Sequence, residues 1–192
     1  MWRAMAELAA EVAVVALRPA RLEDNPQIAA IWNHEVAETD ATTDSEPRDA
    51  AAQRAWLERH SPAYPAIVAV AGERVVAFGA LAPYRPKPSF AHTVEDSVYV
   101  ASGCRGRGLG ARVLAELIQR ARAAGHHSML ARITAPNARS LALHRAAGFV
   151  QMGVEREVAR KRGRWLDVVV MQLVLEPATP VPPRLPDIAT EI

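Results

Sequence analysis

A single cysteine, Cys104, leaves the chain with no means of building an internal disulfide framework. A surplus of one charge is missing too: 23 basic side chains stand against 21 acidic ones, and a net charge of +2 gives no general attraction for nucleic acid. Any anion site must therefore be local. Long apolar runs are also absent. The stretch from Met5 to Leu17 is broken by Glu7 and Glu11, falls short of the ~20 residues that span a bilayer, and offers no small-residue cleavage site. It serves as neither membrane anchor nor secretion signal, which points to a cytoplasmic protein without a membrane partner. No internal repeat is visible.

What is present is an ordinary globular composition, half apolar and 23% charged over 192 residues, enough for one domain with tails. We expect an N-terminal extension over residues 1–11, a single domain over 12–176 and a disordered tail over 177–192, where five prolines fall between Pro177 and Pro186. Val12 to Leu17 reads as a strand. Asp24 and Pro26 then open a helix with Ile28, Ile31, Trp32 and Val36 at helical spacing, and a second helix runs from about Asp49 to Arg59. Ala66–Val70 and Val75–Leu81 flank Ala71-Gly72-Glu73-Arg74 as a hairpin. The segment from Pro83 to Phe90 has three prolines and resists becoming a strand, whereas His92–Val100 resumes one.

Val113, Leu114, Leu117, Ile118 and Ala121 make one stripe on a helix from Ala111 to Ala124 that Gly125 stops. A short strand, Ser128–Ile133, precedes a helix that Asn137 caps and Gly148 ends. Val150–Val158 and Trp165–Leu175 form a last hairpin through Lys161-Arg162-Gly163-Arg164. The expected class is α/β (α+β): a mixed sheet with helices on its faces.

The chemistry concentrates where the strand Val98-Tyr99-Val100 leads through Gly103 into Arg105-Gly106-Arg107-Gly108-Leu109-Gly110-Ala111 and directly into the amphipathic helix. Glycines let the backbone curl so that its N–H groups converge, and the helix N-terminus adds unpaired donors and a positive dipole end. A pyrophosphate fits such a nest, with Arg105 and Arg107 adding charge. A Walker loop is excluded because Ala111 and Arg112, not Lys and Ser or Thr, follow Gly110. Gly106, Gly108 and Ala111 also satisfy the Rossmann spacing, and Arg132 would suit a 2′-phosphate, so an NADP-dependent reductase stays open. The long stretch preceding the motif counts against it.

Arg105-x-x-Gly108-x-Gly110 after a Val-Tyr-Val strand resembles the signature by which GNAT acetyltransferases hold the pyrophosphate of CoA. Asn137, Ser140-Leu141-Ala142-Leu143-His144 and Ala147-Gly148-Phe149 resemble that family's second cofactor segment. Trp32-Asn33-His34, Asp44-Ser45-Glu46-Pro47, Pro83-Tyr84-Arg85-Pro86 and His92 to Val100 narrow the resemblance to acetyltransferases of phosphinothricin, methionine sulfone and methionine sulfoximine. It runs from about Leu17 to Leu175. Departures fall on the acyl side, at Thr43, Asp96 and Ala135-Pro136.

The resemblance implies the GNAT fold, a mixed and mostly antiparallel central sheet flanked by helices on both faces. It implies acetyl-CoA as cosubstrate, held by Val98, Tyr99, Val100, Arg105, Gly106, Arg107, Gly108, Leu109, Gly110, Ala111, Asn137 and Ser140. The acceptor would be the α-amine of a small amino acid or analogue, and the protein a homodimer. A non-catalytic acetyl-CoA-binding regulatory module is the remaining alternative.

An α-amine with a pKa near 8 is mostly ammonium at neutral pH, so a base must take a proton. Strand alternation sets Glu95, Ser97 and Tyr99 opposite Val94, Asp96, Val98 and Val100, turning Glu95 away from the valines and, if these are core, toward the cofactor side. By resemblance Glu95 is the general base, through water, and His144 protonates or binds near the departing thiolate. Alternatively they are an exposed strand carboxylate and a surface histidine. Arg85 would fork a substrate carboxylate and Phe90 pack on its side chain, or both sit on an exposed loop. Cys104 beside Arg105 has the surroundings of a reactive thiol, though direct transfer needs none. His126 and His127 project differently, so we expect a solvated turn and no metal. Arg156, Arg160, Lys161, Arg162 and Arg164, interleaved with Glu155 and Glu157, suggest a solvated edge or subunit contact.

Overall fold

The computed structural model describes residues 15–175. The expected extension, the start of the first strand and the proline-rich tail lie outside these residues. Seven strands form one sheet: β1 (Val15–Pro19), β2 (Ala66–Ala71), β3 (Arg74–Pro83), β4 (Thr93–Val100), β5 (Ser128–Thr134), β6 (Val150–Lys161) and β7 (Arg164–Val174). Their order across the sheet is β1-β2-β3-β4-β5-β7-β6. Every adjacent pair is antiparallel except β4 and β5.

Helices α1 (Asn25–Glu38), α2 (Ala50–Glu58), α3 (Leu109–Ala123) and α4 (Ala138–Ala146) flank it on both faces, as expected. The β4–α3–β5 crossover is the one parallel connection in an otherwise antiparallel sheet. A doubly wound dinucleotide sheet, which the NADP reading needs, is not built.

β2 is buried at every position because it is covered twice. Ile67, Ala69 and Ala71 join the core under α3, while Val68 and Val70 meet Ile28, Ile31, Trp32 and Val36 of α1. The expected α3 stripe is that core's other wall, with Val113, Leu114, Leu117 and Ala121 fully buried. Close approach of α3 to β3 requires a glycine. A Cβ on Gly79 would stand 2.6 Å from Val113 Cγ1, 2.9 Å from Leu117 Cδ1 and 3.1 Å from the Ser97 carbonyl.

Several local readings change. Asp24 does not cap α1 through its side chain; its carboxylate accepts from the Arg21 backbone N–H at 2.8 Å and from the Arg18 guanidinium at 2.7 and 2.8 Å. β3 runs on to include Pro83, where that edge of the proline-rich segment still pairs with Val94. His126 is not solvated: its ring is buried against Tyr64, with Nε2 2.7 Å from the Ala63 carbonyl, whereas His127 is exposed.

The last hairpin is longer than its hydrophobic pattern suggests, because β6 continues through a register shift between Glu155 and Ala159 to end at Lys161. A shift of this kind re-aims the side chains beyond it. Lys161 turns inward and is buried, which corrects the expectation of a wholly solvated basic hairpin.

Gly79→Ala should lower unfolding free energy by about 1–3 kcal/mol, since two packed side chains and a backbone carbonyl must all give way. Denaturant melts of the two proteins measure it.

Candidate active site

Parallel pairing between β4 and β5 lasts for three residues: Thr93 with Ser128, Val94 with Met129 and Glu95 with Leu130. Beyond Glu95 the two strands part. The stretch of β4 without a β5 partner, the glycine turn after it and the start of α4 line a cavity of about 490 Å³, within the usual size of ligand sites. A smaller cavity of about 60 Å³ continues it toward the closed end of the notch, sharing Val98, Tyr99, Asn137 and Ser140 and adding Asp96, Ser97, Arg132 and His144.

At the wide end Gly106 and Gly108 have φ of 77° and 74°, a backbone form that only glycine adopts without strain. A Cβ at either position would meet nothing within 4 Å, so these turns face open space and not packed protein. Gly108 is the N-cap of α3, whose first donors open onto the same space. Of the residues expected to hold the cofactor, Val98, Tyr99, Val100, Arg105, Gly106, Gly108, Leu109, Gly110, Ala111, Asn137 and Ser140 all line the larger cavity. Arg107 does not. Curled glycine backbone, a helix N-terminus and an arginine suit a pyrophosphate, so the residues fit CoA.

Arg105 is not simply a charge offered to that cavity. Its guanidinium ion-pairs with Glu35 Oε1, and its Nε donates to the Val100 carbonyl at 3.2 Å. Glu35 occupies the buried stripe of α1, seven residues after Ile28, and is itself almost fully buried. Its other oxygen accepts from Thr39 Oγ1 at 2.9 Å.

Thr39 opens the loop between α1 and α2, and the β6–β7 hairpin tip clasps that loop. Lys161 Nζ donates to the carbonyls of Thr39 and Thr42 at 2.9 and 2.8 Å, Arg162 to the Thr39 carbonyl at 2.9 Å, and Arg164 to Asp40 Oδ2 at 2.6 Å. Burial is the largest influence on the Lys161 ammonium and lowers its pKa from the ordinary lysine value. Asn33 closes the far end of the loop by exchanging hydrogen bonds with the Arg48 backbone at 2.8 and 2.9 Å. Arg48 in turn lies 3.9 Å above the Trp32 ring and 5.0 Å from that of Trp56.

The two expected catalytic side chains sit on opposite faces of β4, close to the point of divergence. Glu95 is half-buried at the last paired position and adjoins the cavities without lining either, so it does not face the cofactor cavity, contrary to what the alternation suggests. Its face is that of Tyr99, which packs on the α1 core; Val94, Val98 and Val100 pack on the α3 core, as the alternation predicts. Burial raises the Glu95 pKa above the ordinary carboxylate value. Arg132 opposes that rise, while Asp96 and Glu155 add to it.

His144 is no surface residue. Its Nδ1 donates to the Ser140 carbonyl at 2.8 Å, and its Nε2 lies 3.1 Å from Asp96 Oδ2, both side chains being at most 4% exposed. Acceptors at both ring nitrogens favour the doubly protonated ring. Burial, the largest influence, opposes that charge, but the Asp96 carboxylate and the Ser140 carbonyl outweigh it and raise the histidine's pKa.

Arg85 and Phe90 stand apart, exposed or half-buried on the β3–β4 loop, where the Arg85 guanidinium lies 4.9 Å from the Tyr84 ring and 5.5 Å from the Phe90 ring. Cys104 is fully buried in the α3 core, which removes the exposure a reactive thiol needs. Among the described residues no group of three His, Cys, Asp or Glu is placed to hold a metal, and no helix is long and apolar enough to cross a membrane.

Sequence reasoning missed Glu35 and Lys161, and it gave Arg132 a different role. A glutamate at an apolar stripe position was the one available signal for Glu35; contacts made across more than a hundred residues left none for Lys161.

Lys161→Met should destabilise the fold by about 1–3 kcal/mol, because the carbonyls of Thr39 and Thr42 lose a buried donor. Amide exchange should quicken at Ala41 and Asp44, whose N–H groups bond to Thr39 and Thr42 hydroxyls at 3.0 and 3.1 Å. Denaturation and exchange mass spectrometry check the two effects.

Residues 28–149 match the family described as the Acetyltransferase (GNAT) family. An L-methionine sulfoximine/L-methionine sulfone acetyltransferase of Pseudomonas paraeruginosa is 44% identical over 169 residues, covering 86% of this chain and 98% of that protein. Among solved structures, a ribosomal-protein-alanine N-acetyltransferase of Brucella melitensis superposes with a TM-score of 0.81 at 42% identity, over 83% of this chain and 99% of the other. A GNAT superfamily phosphinothricin acetyltransferase of Sinorhizobium meliloti, in complex with acetyl-CoA, gives 0.82 at 32% identity, over 88% of this chain and 93% of the other. With a divergent β4–β5 notch, a glycine turn at its wide end and relatives of this closeness along nearly their whole length, the chain belongs to the GNAT family of acetyltransferases.

Proposed function

We propose that the protein transfers the acetyl group of acetyl-CoA directly to the α-amine of a small amino acid or analogue of the methionine sulfone, methionine sulfoximine or phosphinothricin type. The pyrophosphate would lie on the turn from Arg105 to Gly110, with Arg107 beside it, and the pantetheine would run along Val98 to Val100, bordered by Asn137 and Ser140. The acetyl end would then enter the smaller cavity. Acceptor and cofactor would approach from opposite sides of β4.

In this reading Glu95 takes a proton from the acceptor's ammonium, directly or through one water. The freed nitrogen bonds to the acetyl carbonyl carbon, the carbon–sulfur bond breaks, the sulfur leaves as thiolate, and the nitrogen sheds its second proton to solvent as it becomes an amide. His144, held protonated against Asp96, supplies the proton that the thiolate takes up. The observation that carries the reading is the half-buried Glu95 at the last β4–β5 pair, with a pKa raised by burial, as a general base near neutral pH needs.

The acceptor class is supported by what the Pseudomonas and Sinorhizobium proteins are named for acting on. The name of the Brucella structure makes a peptide N-terminus the second reading. Arg85 and Phe90 remain proposed acceptor contacts at the outer rim. A homodimer also belongs to the proposal, supported by the apolar Val150, Met152, Val154 and Val158 left exposed along the edge strand β6.

A CoA-release assay over amino acids, their sulfone, sulfoximine and phosphinate analogues and an alanine-terminated peptide tests the function. Turnover of the free amino-acid class supports it, and turnover of the peptide alone overturns it. Gly108→Val should weaken acetyl-CoA binding in calorimetry, since a branched side chain at φ of 74° strains the turn and fills the space above it.

Glu95→Gln should lower turnover by about 10²–10⁴-fold near pH 7 while acetyl-CoA affinity persists, with the deficit shrinking as pH rises and solution supplies free amine. Because the Glu95 pKa is raised, the acid limb of wild-type kcat/KM should lie above the ordinary glutamate value. A pH–rate profile of both proteins reads both effects.

A further inference from the structure

Register across the sheet brings one more charged group to the face that carries Glu95. Leu130 pairs with Glu95, so Arg132, two residues further along β5, projects from the same side. Met129, Ala131 and Ile133 point the other way, into the α3 core. Arg132 also lines the smaller cavity, on the wall opposite Ser97 and Val98. Its guanidinium reaches across β7 to ion-pair with Glu155 of β6, and 38% of its side chain remains exposed.

The charged groups that bear on Glu95 come from three strands: Asp96 on β4, Glu155 on β6 and Arg132 on β5. Arg132 is the cation among them.

We infer that Arg132 holds the α-carboxylate of the acceptor and thereby selects free amino acids over amines without an anionic group. This rests on the proposed role of Glu95 as the base facing the acceptor's amine. The amine and carboxylate of an α-amino acid hang from one carbon, with nitrogen and oxygen roughly 3 Å apart. A cation that receives the carboxylate must therefore sit beside the base.

Arg132 does, whereas Arg85 packs on Tyr84 and Phe90 and lines neither cavity. A guanidinium carries five N–H donors, so pairing with Glu155 through one of them leaves others for a carboxylate. Glu155 keeps the side chain oriented and its charge balanced before the acceptor arrives. The same positive charge holds down the pKa of Glu95 against burial, so acceptor recognition and base strength are set by one residue.

The test compares an accepted amino acid with its carboxamide, on wild type, Arg132→Gln, Arg132→Lys, Glu155→Gln and Arg85→Ala, each shown by circular dichroism to be folded. For Arg132→Gln the KM of the acid should rise about 10–100-fold, as expected for losing a charge-assisted hydrogen bond, while that of the amide changes by less than about threefold. Acetyl-CoA affinity by calorimetry should hold. The acid limb of kcat/KM for the amide should move to higher pH in Arg132→Gln, since Glu95 loses a neighbouring cation, and should stay near its wild-type position in Arg132→Lys.

Glu155→Gln, which spares Arg132, should lower the KM of the acid. It decides the matter if Arg132→Gln fails to fold: a KM that rises instead overturns the inference. Equal losses on acid and amide, or an acid-selective loss at Arg85→Ala with none at Arg132→Gln, also overturn it. A wild type that turns over peptides but no amino acid removes the proposed function and this inference together, whereas the other adverse outcomes remove the inference alone.

Discussion

The separation of β4 from β5 after Glu95 and Leu130 is the constraint on which the rest of the site depends. A parallel pair that stayed in register would bury the backbone of residues 97–100 in a ladder, leaving neither a cavity nor a route between the two faces of the sheet. Once the strands diverge, β4 presents an edge without a β5 partner along one wall, and the turn that must follow it, Arg105 to Gly110, is carried to the mouth of the gap. Glu95 on one face and Asp96 on the other, bonded to His144, mark the closed end. The proposed base and the histidine bonded to Asp96 are thus set on two sides of one strand by nothing more than its period of two.

A second set of contacts ties the glycine turn to the loop after α1 and to the far hairpin. The Arg105 guanidinium touches Glu35, Glu35 touches Thr39, and the Thr39 carbonyl is held by Lys161 and Arg162 from the far hairpin. The chain of contacts runs from the glycine turn through the core stripe of α1 to the sheet's opposite edge. An ammonium buried against carbonyls keeps a geometry that a solvated lysine would not, because each lost bond leaves a desolvated group unpaired.

Much of this was written locally in the sequence. The α3 stripe, the glycine turn and the Asn137 cap depend on residues a few positions apart, and the structure has all three, with Asn137 accepting from the Ser140 N–H at 3.2 Å. The faces of β4 followed from alternation alone. Less was legible where distant segments meet. His144 looked like either a surface or a site residue because its partner lies 48 positions away, and Lys161 looked solvated because its acceptors lie 119 and 122 positions away. Asp24 shows the same limit at short range: its carboxylate, free to cap a helix on paper, is taken by Arg18 and the Arg21 amide. His126 followed suit, drawn into a buried contact with Ala63 that no local pattern announces.

The central claim is that cofactor and acceptor meet from opposite sides of β4 at the end of the notch. A crystal structure with CoA and an amino-acid acceptor bound tests it most directly. The account predicts CoA sulfur in the smaller cavity near Val98 and His144, and the acceptor's nitrogen on the Glu95 face within one hydrogen bond, or one water, of its carboxylate. An acceptor bound on the Asp96 face, or a CoA chain that leaves the β4–β5 notch empty, would contradict it.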